Sequence, residues 1–276
     1  MSKNIAFTEE VYPTYYHSLT VDQDLYSKKN KYHEIRFFRN DAYGVVYTSD
    51  NIVQTTEKDE FVYHEMSAHV SMQTHGNVKT VLIIGGGGGG CLREILKYNS
   101  VEKVVVCEID QDVYYGFQTY LDYSDGAFTD KRTHLLFSCG SSFVENCTDK
   151  YDLIICDAPD PVGCGASLFS DVFYKNCSKL LNINGIITGQ IGVPFFQLDN
   201  AVRANNFLSA IFSNVKFYNA AVPIFCGGTM LFYMASNEQV SLAEHTSEPP
   251  GLKYFNSEIY RATFALPNYI RAGLST

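Results

Sequence analysis

The chain has 276 residues, of which 46% are hydrophobic and 18% charged, enough to bury one large core or a large and a small one. A net charge of −9 without a clustered Lys/Arg track argues against a nucleic-acid surface, and no apolar run reaches the roughly 18 residues of a membrane span. Residues 1–10 hold no apolar signal core, so a cytoplasmic protein is expected. Eight cysteines without a C-x-x-C pair read as buried free thiols, with no metal expected.

Residues 1–70 read as a small N-terminal antiparallel β domain. Segments 32–38, 44–48 and 52–55 are short, β-branched and aromatic, and Asn-Asp and Ser-Asp-Asn turn signals separate them. At the junction, Asp59-Glu60-Phe61-Val62-Tyr63-His64-Glu65-Met66 crowds polar groups into eight residues. A capped surface helix accounts for Asp59 and Glu60 but less well for Tyr63 and His64.

Residues 71–276 read as α/β, a Rossmann-like domain in which apolar runs alternate with helical patterns. Segments 80–84, 103–107, 133–137, 153–156 and 185–188 are the expected parallel strands, and 213–221 with 230–235 a closing strand pair. The first strand breaks into six glycines, Gly85 to Gly90, and then resumes as a helix start. Glycines suit a loop that takes positive φ and lets a ligand approach the backbone. Glu108 follows the second strand, where an acidic residue can accept both ribose hydroxyls of a bound nucleoside. A nucleoside-containing cofactor is therefore expected, against the alternative of a merely tight turn. The fourth strand ends in Asp157-Ala-Pro-Asp160-Pro-Val-Gly163. Its two carboxylates can steer a cation or take a proton from a nucleophile; the alternative is an N-cap and turn pair.

In this order and spacing the segments resemble the spermidine synthase (aminopropyltransferase) family over nearly the whole chain. The matching residues are 54–66, the glycine loop with Leu92-Arg93-Glu94, Glu108-Ile-Asp110, Asp157-x-x-Asp160-Pro-x-Gly163, Leu168-Phe169, Gln190, 252–260 and 264–267. The resemblance implies a homodimer and an SN2 displacement, in which a nucleophile attacks the propyl carbon beside a sulfonium and methylthioadenosine leaves. It makes Asp157 the proton acceptor and Tyr63 the residue that positions the nucleophile. Gln54, His64, Gly85, Gly86, Gly87, Gly88, Glu108 and Cys139 would bind the donor, and Asp160, Gln190 and Phe225 the acceptor.

Four positions depart from the family pattern. The family's glycine-loop aspartate, which pairs with the amino group of decarboxylated S-adenosylmethionine, is Gly88 here. An aspartate beside the adenine amino group becomes Cys139, a tyrosine becomes Phe225, and a histidine near the C-terminus becomes Tyr260. Glycine at position 88 removes a charge that would repel a carboxylate and is expected to open volume. The expected donor is thus intact S-adenosylmethionine, the group moved 3-amino-3-carboxypropyl, and Phe225 and Tyr260 point the acceptor away from putrescine. One branch similar to this modifies the phosphate of a peptide-nucleotide antibiotic of the microcin C type. Three alternatives stand beside it: polyamine aminopropyl transfer from the decarboxylated donor, methyl transfer on the same scaffold, and a non-catalytic partner subunit.

Overall fold

The computed structural model describes residues 5–159, 163–243 and 248–275. The chain opens with a hairpin, β1 (Ile5–Tyr12) and β2 (Tyr15–Val21), which pair only with each other. A four-stranded antiparallel meander follows: β3 (Gln23–Lys29), β4 (Glu34–Asn40), β5 (Gly44–Ser49) and β6 (Ile52–Thr56). The last three coincide with the expected strands. The hairpin and β3 are additional, because their polar alternation carries no apolar stripe strong enough to read.

Helix α1 (Glu60–His75) comes next, and the expected boundary near residue 70 falls inside it. It ends on Gly76, whose φ of 81° closes the helix in the left-handed conformation that glycine takes without cost. Thirteen of its sixteen residues are buried, which rules out the alternative of a capped surface helix at Asp59 and Glu60. α1 has no solvent-exposed face because sheet residues, α2 and the C-terminal segment surround it.

The second half alternates as expected: β7 (Thr80–Gly85), α2 (Gly90–Leu96), β8 (Lys103–Glu108), α3 (Gln111–Tyr120), β9 (Thr133–Phe137), α4 (Gly140–Asn146), β10 (Tyr151–Asp157), α5 (Asp171–Leu180), β11 (Leu181–Gln190) and α6 (Pro194–Ile211). The closing pair β12 (Asn214–Ala220) and β13 (Met230–Ser236) precedes α7 (Ser257–Ala262) and α8 (Asn268–Leu274). The sheet order is β12-β13-β11-β10-β7-β8-β9, with β7 to β11 parallel and β12 and β13 antiparallel. Val81 to Ile84 are at most 1% exposed, as a central strand covered on both faces requires.

One core lies between α1, the N-terminal sheets and one face of the large sheet; a second packs α5, α6 and α8 on the other face. A third, around Phe37, Tyr47 and Phe117, joins the four-stranded sheet to α3. Register then sets the site. Asp157 pairs with Gly85 across β10 and β7, Glu108 ends β8 and Gln190 ends β11. All lie at strand carboxyl ends, where sequential strands wind to opposite sides of β7 and leave a crevice. Seven described cysteines are free thiols, and among the described residues no helix is long and apolar enough to cross a membrane.

Candidate functional site

The crevice is a cavity of about 240 Å³. It brings together Gln54, Tyr63, His64, Gly85, Gly86, Gly87, Gly88, Glu108, Cys139, Asp157, Gln190 and Phe225. Asp160 lies outside the described residues. Tyr260 lies elsewhere: it is 1% exposed, hydrogen-bonded to the Thr74 hydroxyl at 2.8 Å and accepting the Ala243 N–H at 3.0 Å. Its part in reading an acceptor is therefore corrected to a packing role beside Phe255 and Phe264.

The glycine loop is shaped by its neighbours. Gly85 and Gly86 have φ of 83° and 72°, and a Cβ on Gly85 would lie 2.1 Å from the Asp157 carbonyl oxygen. That closeness lets the Gly86 N–H donate to the same carbonyl at 2.9 Å, tying the loop to the end of β10. The Glu108 carboxylate accepts the Gly87 N–H at 3.0 Å and the Asp110 N–H at 2.8 Å. Burial nevertheless raises its carboxyl to about 7, outweighing those two backbone donors.

Position 88 does not open volume as the sequence suggests. A Cβ there would meet the Tyr123 hydroxyl oxygen at 2.4 Å, so the tyrosine has taken the space. Tyr123 is a cavity-lining residue that sequence reading misses, because it sits in the irregular segment after α3 where no motif or period marks it.

Tyr63 and Asp157 meet at the floor. The two side chains are hydrogen-bonded, and burial together with the Asp157 charge holds the Tyr63 phenol well above its ordinary range. Tyr63 is thus the donor and Asp157 the acceptor. Cys91 also hydrogen-bonds Asp157, and its thiol is pushed up by burial and by the same charge. His64, Cys91 and Asp157 place one ligand atom each within 4.8 Å of one another.

Behind the floor, His64 Nδ1 hydrogen-bonds Glu60 at 2.6 Å, and Glu60 pairs with Arg93 at 3.0 Å. Arg93 also donates to the Tyr123 carbonyl at 2.6 Å and to Glu94 at 2.7 Å. The Glu94 carboxyl falls to about 2: burial opposes its ionisation, but hydrogen bonds from His69 and Lys97 win. Gln54 donates to the Ile52 carbonyl at 3.2 Å, and Gln190 to the Ala158 carbonyl at 3.3 Å. At the rim, Cys139 N-caps α4 with Sγ 3.2 Å from the Ser141 hydroxyl. Burial pushes that thiol up, but hydrogen bonds from Ser141 and Ser142 outweigh it and leave it lowered. Phe225 sits in a loop fastened to Asp59, whose carboxylate accepts the Ile224 N–H at 2.8 Å and the Thr56 hydroxyl at 2.6 Å.

A glycine loop, an acidic strand end and the Asp157 carboxylate converge at the carboxyl edge of a seven-stranded sheet, the architecture of a nucleoside-dependent transferase. Residues 60–244 match the family model of the spermine/spermidine synthase domain, and residues 5–57 that of the spermidine synthase tetramerisation domain. The chain is 40% identical to a polyamine aminopropyltransferase of Pectobacterium atrosepticum, over 99% of both chains, and 41% identical to one of Yersinia pseudotuberculosis, over 100% of this chain and 96% of that one. Among solved structures it is similar to a spermidine synthase in complex with the transition-state analogue AdoDATO, with a TM-score of 0.94, 34% identity and coverage of 99% and 96%. It is also similar to spermidine synthase from Thermotoga maritima, with a TM-score of 0.91, 32% identity and coverage of 99% and 95%. The chain belongs to the spermidine synthase family of aminopropyltransferases. These relatives are named for polyamine synthesis, whereas the expectation of an antibiotic phosphate as acceptor rests on sequence departures alone.

Proposed function

We propose that the chain catalyses aminopropyl-type transfer from an S-adenosyl sulfonium to a nucleophile bound beside Asp157, with polyamine synthesis from decarboxylated S-adenosylmethionine as the reading its relatives support. The observation that carries it is the Tyr63–Asp157 pair, set against the glycine loop by the Gly86 N–H on the Asp157 carbonyl. The sulfonium already activates the propyl carbon, so the protein's task is alignment and proton removal. An amine attacks that carbon, the C–N bond forms as the C–S bond breaks, and the electron pair returns sulfur to a neutral thioether. The proton shed by the new ammonium passes to Asp157, which its contacts with Tyr63 and Cys91 hold in place. Glu108, ionised, accepts the donor's ribose hydroxyls. Gln54, His64 and Cys139 line the donor side, and Gln190, Phe225 and Asp160 the acceptor side. Residues 5–57, by their match to a tetramerisation domain, would assemble copies of the chain.

The Gly88–Tyr123 arrangement favours a second donor. With a phenol in place of a carboxylate, this end of the cavity suits intact S-adenosylmethionine and transfer of 3-amino-3-carboxypropyl. Incubating the protein with each sulfonium and a diamine, and following products by mass, tests both readings. Methylthioadenosine is the expected product. S-adenosylhomocysteine would mean methyl transfer instead, and no product with either donor would overturn catalysis by the chain alone.

A further inference from the structure

We propose that Tyr123 is the donor-discriminating residue of this cavity, its hydroxyl donating a hydrogen bond to the carboxylate of the donor's amino-acid arm. The inference rests on the second donor reading above. Position 88 carries the first argument. Gly85, Gly86 and Gly89 take positive φ, so their backbone conformation accounts for glycine there; Gly88 does not. The described structure gives one reason for glycine at 88, the Tyr123 hydroxyl oxygen 2.4 Å from where Cβ would stand. A side chain at 88 would therefore have to displace Tyr123 from where it stands.

The second argument is that Tyr123 is fixed in place. Its carbonyl accepts from Arg93 at 2.6 Å and its N–H donates to the Leu121 carbonyl at 3.0 Å. Its ring packs 5.1 Å from His64 and 5.3 Å from Phe117, with the Arg93 guanidinium 5.9 Å from the ring centre. Arg93 is in turn held by Glu60 and Glu94, so a buried ionic network behind the loop aims one hydroxyl into the cavity.

The third argument is the chemistry of that hydroxyl. Burial, with the charges of Glu60 and Asp157, keeps the phenol protonated, and the Thr55 hydroxyl hydrogen-bonds its oxygen. A protonated phenol that lines the cavity can donate to an acceptor bound there. A carboxylate is such an acceptor; an ammonium, which can only donate, is not.

Calorimetric titration of the full chain and of Tyr123→Phe with S-adenosylmethionine, its decarboxylated form and methylthioadenosine tests this. Methylthioadenosine lacks the amino-acid arm and reports whether the nucleoside site is intact. The ratio of the two donor dissociation constants is expected to shift about tenfold against the carboxylated donor, the loss of a hydrogen bond to a charged group. A shift below twofold, or parallel changes in both constants, overturns the role. In Gly88→Asp combined with Tyr123→Ala, the carboxylate gains room, and preference is expected to move further toward the decarboxylated donor; no movement also overturns it. Binding is read separately from turnover. A shifted ratio without methylthioadenosine release would refute the transfer reading while keeping Tyr123 as the discriminating residue.

Discussion

Glu108 ties stability and donor binding to pH through one buried carboxyl. Burial raises it to about 7 from an ordinary 4.5, so the folded chain holds this proton more tightly than the unfolded chain does. The contribution to stability is present below pH 4.5 and is lost as pH rises through about 7. The interval corresponds to roughly 3 kcal/mol, with the unliganded protein less stable at pH 8 than at pH 5 on this account. If Glu108 accepts ribose hydroxyls as proposed, donor binding is expected to run the other way, because the ionised carboxylate is the stronger acceptor. At pH 6 about one molecule in eleven is ionised, so affinity for methylthioadenosine should be about tenfold weaker than at pH 8. Glu108→Gln cannot titrate and should flatten both trends. Melting curves from pH 5 to 8, with titrations at each pH, read the two effects. If wild type and Glu108→Gln give parallel stability curves, another group is responsible and the assignment fails.

Other outcomes follow from contacts already described. Asp157→Asn should reduce turnover by about 10²- to 10⁴-fold while leaving methylthioadenosine binding within threefold, since the loop and ribose contacts remain; weakened binding with intact turnover would remove Asp157 as proton acceptor. Glu65, 1% exposed, accepts the N–H groups of Lys253, Tyr254 and Phe255 at 2.8, 2.9 and 2.8 Å. Glu65→Gln turns an amide toward these donors and should cost about 3 kcal/mol in urea unfolding; a loss under about 1 kcal/mol would show that the C-terminal segment is anchored elsewhere. Gly90→Ala would set a Cβ 2.3 Å from His64 Nδ1 and should lower stability by about 1–3 kcal/mol, read as a fall in melting temperature. An unchanged melting temperature would mean that His64 yields freely despite its bond to Glu60.

The large sheet was legible because its strands are continuous apolar runs, which a strand buried on both faces must be. The strand ends were legible for the same reason, since Gly85, Glu108 and Asp157 each stand where such a run stops. What escaped was decided between distant segments. The hairpin β1–β2 shows no periodic stripe, and α1 reads as ambiguous because every side of it is covered. Tyr123 follows no motif, and its meaning appears only where it meets Gly88. Tyr260 shows the converse: a departure that looked like an altered binding residue is a buried hydroxyl serving Thr74 and the Ala243 N–H.

Helix α1 constrains how such a protein can change its chemistry. It carries Tyr63 and His64 toward the cavity, Glu65 toward the C-terminal segment and His69 toward the Glu94 network, with thirteen of sixteen residues enclosed. Inserting one residue between Glu60 and Tyr63 would turn the rest of the helix by about 100° relative to its start and disconnect all four at once. New donor or acceptor preferences therefore have to arise in the segments around the helix, such as the stretch bearing Tyr123 or the loop bearing Phe225. There, single replacements alter what the cavity recognises without moving the residues that carry out the reaction.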